Sequence, residues 1–363
     1  MSRQSRDAGK EIQGKSDLVD WFKKSCKPAG EQLVGVEHEK PPFYRQHGHA
    51  PVPYRGTEGR SGLYDFLEKM VKENGWAPGY EKDKLIELEK DHVGWSLEPG
   101  GQMETSGAPV KNVHQTAEET DARIAEAIEV AKSLGIGMLA LAYHPTHNGD
   151  HMPEMPKSRY AAWRELMEKN HALHGTDGAS CTSAVQVNLG YESEEDMVKM
   201  VRVALSLQPI ATALFANSPF SEGKPSGYQS TRSEVLHNYM EGRYGFMLPV
   251  AFEEGFGFEK FVDYALNMPL LGIYKDGVFV DVKGATFADF MEGKLEACPD
   301  RKPTFADWEN HLNTIWPEVR LRRFLEMRGA DNGPAEMIKA LPAFWVGLLY
   351  DKQSLNAAYD MVC

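Results

Sequence analysis

Residues 95–104 read Trp95-Ser96-Leu97-Glu98-Pro99-Gly100-Gly101-Gln102-Met103-Glu104. Pro-Gly-Gly is a turn signal, and the flanking residues alternate apolar with polar. The segment therefore predicts two antiparallel strands folded onto each other. If Glu98 pairs near Gln102, then Ser96 pairs near Glu104. Those four polar side chains share one face, while Leu97 and Met103 take the other. The fold this predicts is an antiparallel sheet with an acidic face and an apolar back.

Three further segments carry the same pattern. In Val36-Glu37-His38-Glu39 the period of two puts Glu37 and Glu39 on one face and His38 on the other. In Ala184-Val185-Gln186-Val187-Asn188-Leu189, Gln186 and Asn188 share a face. In Leu325-Glu326-Met327-Arg328, Glu326 and Arg328 share a side if the segment is extended. A face that merely meets water usually mixes lysine and threonine with glutamate; here Glu, Gln and Asn dominate. Carboxylates so close repel unless a cation lies between them. Oxygen donors suit a hard cation such as Mg2+, completed by substrate phosphates. No GxxxxGK[ST] loop is present, since Ser221-Glu222-Gly223-Lys224-Pro225 ends on proline, and no GxGxxG follows a strand. A nucleotide would then be held through metals on a sheet. Arg159 and Arg232 are candidate partners for carboxylate or phosphate, which a guanidinium fork matches in two bonds.

Around these strands, Gly62–Asn74, Val113–Leu134, Arg159–Leu173, Ser193–Gln208, Phe258–Leu266 and the stretch after Glu336 read as helices. Strands are expected at Lys84–Glu89 and Met138–Tyr143, with a hairpin turning on Asp276-Gly277. Strands and helices mix without a βαβ rhythm, which predicts an α+β fold. Residues 1–16 read as a mobile tail and 17–363 as a single domain. The net charge of -13, from 53 acids against 40 bases in 363 residues, argues against a general nucleic-acid binder. Cys26, Cys181, Cys298 and Cys363 stand far apart with no CxxC pair, which suggests a reducing compartment. Cys181 lacks an evident histidine partner and reads as a buried thiol. The apolar runs at 136–143 and 341–350 are too short for a bilayer, and residues 1–20 lack an apolar signal core. A cytoplasmic protein with no membrane and no nucleic-acid partner is expected, either monomer or homodimer.

The same segments carry a family resemblance. Gly35-Val36-Glu37-His38-Glu39-Lys40, the 96–104 hairpin, Val185-Gln186-Val187-Asn188 and Glu326-Met327-Arg328-Gly329-Ala330-Asp331 resemble the plant and proteobacterial glutamate–cysteine ligases. So do residues 207–219 and 341–351. The resemblance runs from about Leu33 onward. It implies a curved antiparallel sheet forming a funnel, related to the glutamine synthetase catalytic domain. It implies ATP as cosubstrate, Mg2+, and L-glutamate and L-cysteine as substrates. By motif match, Glu37, Glu39, Glu98, Glu104 and Glu326 would be metal or nucleotide-phosphate residues, with Gln186 and Asn188 in the same substrate site. Arg159 and Arg232 would hold glutamate carboxylates or the transferring phosphoryl group, and Arg328 would stabilise phosphate charge. The family usually continues past the position of Cys363, so the chain reads as a shorter version. Ser183-Ala184 replaces a plant-like Thr-Cys-Thr run, and the cysteines do not reproduce the plant redox pairs. Alternatives are a carboxylate–amine ligase with another amine or acid, or an inert ATP- or glutamate-binding protein.

Overall fold

The computed structural model describes residues 8–57, 59–169, 175–237, 239, 243–245, 248–299 and 301–362. Its centre is an eight-stranded sheet. In chain order the strands are β1 (Val34–Lys40), β2 (Ala77–Glu81), β3 (Lys84–Lys90), β4 (Val93–Leu97), β5 (Met103–Ser106), β6 (Ala184–Leu189), β7 (Val319–Leu321) and β8 (Leu325–Asp331). Across the sheet they run β7-β8-β6-β1-β5-β4-β3-β2, each pair antiparallel. The expected α+β class with a mainly antiparallel sheet is what the molecule has.

The Pro99 turn has the anticipated register. Ser96 lies opposite Glu104, Leu97 opposite Met103, and the Glu98 N–H donates to the Gln102 carbonyl at 2.8 Å. Gly101 has φ +88°, a conformation that glycine adopts without strain. Gln102 does not share the acidic face's chemistry. Its Oε1 accepts from the Gly100 N–H at 2.9 Å and its Nε2 donates to the carbonyls of Ala179 and Thr182. It clamps the turn onto a neighbouring segment.

The back of the sheet is apolar, as the alternation requires. Val34, Val36, Val185, Val187, Leu189 and Met327 join one core with the helices Glu194–Leu214 and Ala335–Leu349. Leu88, Trp95, Leu97 and Met103 join a second core with Leu63–Asn74 and Val113–Ser133. Fully burying each such side chain contributes about 1.5–3 kcal/mol, so the faces of these strands cannot be exchanged. The helix Glu194–Leu214 is long and apolar enough in composition to cross a membrane, with 44% of its apolar window buried inside the fold. Ser193 caps it, accepting from the Asp196 N–H.

Some expectations differ from the structure. Residues 8–12 are not a free tail. Glu11 bridges to Thr304, the Ile12 N–H donates to Pro303, and the Ile12 side chain is 3% exposed. The strand expected at Met138–Tyr143 is displaced to Ile136–Met138, where it pairs with Pro42–Tyr44 in a separate two-stranded sheet. The helix expected over Arg159–Leu173 is present as Ser158–Lys169; residues 170–173 lie outside those described. Asp276-Gly277 turns the hairpin of Ile273–Lys275 and Val278–Val280.

Candidate active site

One face of the sheet gathers the residues singled out from the sequence. Glu37 stands opposite Gln186 and Ser106, Glu39 opposite Glu104, and Glu326 opposite Asn188 and Arg320. His38 is buried on the other face, and burial with the nearby Lys40 lowers it to about 3. It is a neutral core residue.

The amides orient the acids. Asn188 Nδ2 donates to Glu37 Oε1 at 2.8 Å. Glu39 Oε2 accepts from the Ala184 N–H at 2.8 Å, and Gln186 Nε2 donates to Glu39 Oε1 at 3.5 Å. Gln186 Oε1 in turn accepts from Arg328 at 2.9 Å. Ser106 donates to Glu104, and Ser96 to Glu98. Burial, reinforced by the Glu104 and Glu326 charges, pushes Glu37 up to about 7. Burial, with Glu104 and Glu98, pushes Glu39 up to about 8. Carboxylates this close repel, and a divalent ion between Glu37, Glu39 and Glu104 would offset that repulsion. Among the described residues no three acids, histidines or cysteines converge in an arrangement that could by itself hold a metal ion.

Glu326 departs from the expected metal-ligand role. It is 0% exposed, and both oxygens are taken by Arg320, at 2.6 and 2.9 Å. Arg328 donates to it at 3.0 Å and Arg322 at 3.4 Å. Burial alone would raise this carboxyl, but Arg320, Arg328 and Arg322 hold it well below the usual range. Arg320 itself is pulled down to about 10, first by burial and then by the other two guanidiniums. One negative charge faces three positive ones, so the net charge left over is positive and directed along Arg328 toward Gln186 and Glu39.

Arg232 is also differently employed. It is 3% exposed and donates to the carbonyls of Arg328 and Gly329 at 2.8 and 3.2 Å. The register of β8 against β6 shifts between Met327 and Ala330. Such a bulge takes backbone groups out of the ladder, and Arg232 fills two of the vacated positions. It braces Arg328 from behind, and it lies near enough to Glu39 to oppose the rise of that acid. Arg159 comes within 4.0 Å of Glu98 and donates to Tyr160 at 3.1 Å.

Two cavities flank the acids. The smaller, about 170 Å³, is lined by Glu39, Glu98, Arg159 and Arg328 together with an aromatic wall. Trp163 stacks on Trp316 at 5.2 Å in that wall. The larger, about 580 Å³, is lined by Glu37, Asn188, Ser96 and Ser106, with Lys27 and Arg323 at its edge. The cluster of Glu37, Glu39 and Glu104 therefore lies between an arginine-rich compartment and a larger one. Sequence reasoning missed Arg320, Arg322 and Glu318. The alternation of Arg320 and Arg322 was the available signal. Cys181 is 1% exposed and burial raises its thiol, which donates to the His147 carbonyl at 3.5 Å, in keeping with the expected buried thiol.

In fold and site the chain is an antiparallel sheet that presents carboxylates and arginines between two cavities. The glutamate-cysteine ligase family 2 model matches residues 33–363, and the chain belongs to that family. The family activity is ATP-dependent formation of γ-glutamylcysteine, the first step of glutathione synthesis. The chain is 45% identical over 347 residues to the chloroplastic glutamate–cysteine ligase B of Oryza sativa subsp. japonica, covering 96% of this chain and 68% of that one. It is 46% identical over 348 residues to the chloroplastic enzyme of Solanum lycopersicum, covering 96% and 65%. It thus spans about two thirds of the length of these relatives. In fold it is similar to the Francisella tularensis glutamate–cysteine ligase solved in complex with AMP. That likeness has TM-score 0.51 at 11% identity, over 93% of this chain and 71% of that one. The relatives are named chloroplastic, which overturns the cytoplasmic expectation. The cysteine spacing carried only the expectation of a reducing environment, which does not separate cytosol from chloroplast.

Proposed function

We propose that this chain joins the γ-carboxylate of L-glutamate to the amino group of L-cysteine, using ATP and Mg2+. The observation that carries the reading is the acid cluster between two cavities, formed by half-buried Glu37 and Glu39 and buried Glu104. The larger cavity suits the nucleotide. The smaller, with Arg159 and Arg328 on its wall, suits an amino acid.

A carboxylate is a poor acyl donor. In this reading its side-chain oxygen takes the γ-phosphoryl group of ATP and ADP leaves, giving γ-glutamyl phosphate. The cysteine amine then attacks the carbonyl carbon, the C–O bond to phosphate breaks, and the amine loses a proton. Glu37, Glu39 and Glu104, with Glu98 at the edge, would hold Mg2+. The ion supplies charge neutralisation and orientation of the phosphates when bound. Arg328 is fixed by Glu326, Gln186 and the Arg232 brace, so its charge needs no reorganisation as negative charge develops. Arg159 is placed to meet a substrate carboxylate. The stacked Trp163 and Trp316 help keep water from the acyl phosphate.

The test is oxygen transfer. Glutamate labelled with ¹⁸O in its side-chain carboxylate should deliver label into inorganic phosphate during turnover. Product formation with unlabelled phosphate would refute the acyl-phosphate reading.

A further inference from the structure

The larger cavity is charged unevenly. Glu87, Glu89 and His92 line one end, while Lys27 and Arg323 line the other, beside Phe324. Arg323 is half-buried and its guanidinium is held in place. Its Nε donates to Ser25 Oγ at 3.3 Å, and its Cζ lies 5.7 Å from the centre of the Trp21 ring. Ser25 is 2% exposed and donates to the Trp21 carbonyl at 2.9 Å. Trp21 belongs to the helix Lys15–Lys23, which docks through Phe22 stacked on Phe258 at 5.7 Å. The family model begins at residue 33, yet this earlier helix fixes an arginine on the cavity wall.

The path from Glu37 to that cationic end is kept clear. Gly35 stands two residues from Glu37 on β1 and therefore takes the same face. Gly190, just past β6, donates its N–H to the Leu33 carbonyl and lines the same cavity. Glycine inside a strand costs stability, so its presence needs a reason. Neither glycine has a positive φ. A Cβ would meet nothing nearer than 3.5 Å at Gly35 or 3.7 Å at Gly190, which is ordinary contact. Gly107 on the cavity wall is different, because a Cβ there would run into the Glu119 carboxylate and the Val36 carbonyl. Packing thus accounts for Gly107. For Gly35 and Gly190 the remaining reason is room for an occupant beside a fixed guanidinium.

We propose that the nucleoside of ATP lies over Gly35 and Gly190 and is held at its far end by Arg323, which donates to acceptor atoms of the base or ribose and is positioned by the Lys15–Lys23 helix. This rests on the nucleotide reading of the larger cavity and gives it a direction. Phosphates joined through a metal to Glu37 lie at one end of the path. The phosphate that links them to the nucleoside is negative, so Lys27 and Arg323 draw it toward their end and away from Glu87 and Glu89. Leu33, at the cationic end, is four residues from Glu37, about 14 Å along a strand that rises about 3.4 Å per residue. Arg323 therefore meets the nucleoside and not the metal-bound phosphates. A guanidinium suits this role, since its planar fork donates several hydrogen bonds in one fixed plane.

Calorimetric titration of the full chain with Mg·ATP, without amino acids, tests this. Arg323→Met should weaken binding by at least about tenfold, or about 1.4 kcal/mol. Inorganic tripolyphosphate, displacing Mg·ATP in competition, should keep its affinity in that variant; an equal loss for tripolyphosphate would put phosphates at Arg323 and overturn the proposal. Gly35→Ala should also weaken Mg·ATP while leaving the melting temperature no lower than the parent's. Gly94→Ala, at the acidic end, should leave Mg·ATP affinity unchanged; weakening there, with Arg323→Met and Gly35→Ala unaffected, would reverse the direction and overturn the proposal. If Arg323→Met melts below the parent protein, Gly35→Ala decides: weakened binding supports the seat and unchanged binding refutes it. Failure of the parent to bind Mg·ATP would overturn the nucleotide reading itself. Normal binding by the parent and by both Arg323→Met and Gly35→Ala would overturn this inference alone, so the two failures are distinguishable.

Discussion

Glu326→Gln separates two roles for one residue. The side chain is 0% exposed and pairs with Arg320, Arg322 and Arg328, themselves buried or nearly so. Glutamine keeps the shape but removes the charge. It also turns one end into a donor facing the bidentate fork of Arg320, which spans 2.6 and 2.9 Å. Breaking a buried pair by removing one partner costs about 3–5 kcal/mol, because the remaining charge stays desolvated. Urea unfolding at neutral pH, in chelator and without nucleotide, should show a loss of this size. Mg2+ affinity, measured on the folded fraction, should change little. An unaltered unfolding midpoint combined with lost Mg2+ binding would show that Glu326 is a metal ligand and refute the charge-cluster reasoning.

Three further outcomes follow from the geometry. Glu39→Gln should abolish detectable ligation without lowering stability in chelator, since the half-buried carboxyl is already pushed up to about 8; near-normal turnover would remove Glu39 from the site. Glu318 is 8% exposed and burial raises it to about 7 from 4.5, so the folded protein retains a proton the unfolded chain has lost between those values, and stability falls as pH rises through that window. Glu318→Gln should remove a contribution of about 3 kcal/mol to that fall, at about 1.4 kcal/mol per pH unit, and parallel stability–pH curves for variant and parent would refute it. Gly100→Ala should destabilise by about 1–3 kcal/mol, because a Cβ there meets the Ser180 carbonyl, and an unchanged melting temperature would contradict that close approach.

The acidic face was legible because strand periodicity is strict. Once Pro99-Gly100-Gly101 fixed the turn, Ser96 had to face Glu104 and Leu97 had to face Met103. The alternation of Glu37 with Glu39 and of Gln186 with Asn188 gave the same face twice more. The neighbours of Glu326 were not legible. Arg320 reaches it across a hairpin at Arg322-Arg323-Phe324, which lacks the Gly, Asn or Pro that announces a turn. Arg232 read as a substrate arginine because a sequence shows the charge but not the bulge whose carbonyls it serves. The displaced strand at Ile136–Met138 has a similar cause. The apolar run through Tyr143 predicts extension, but beyond Met138 the backbone bonds irregularly, Leu139 to Pro41 and Ala142 to Asn217.

In the proposed function the acids between the two cavities serve one reaction needing both amino acids. Phosphate release from ATP with Mg2+, measured with glutamate alone, cysteine alone and both together, tests it most directly. Release at full rate only with both, and its loss in Glu39→Gln, is the predicted result. No release under any of the three conditions from folded protein, or full release with neither cysteine nor glutamate required, would contradict it.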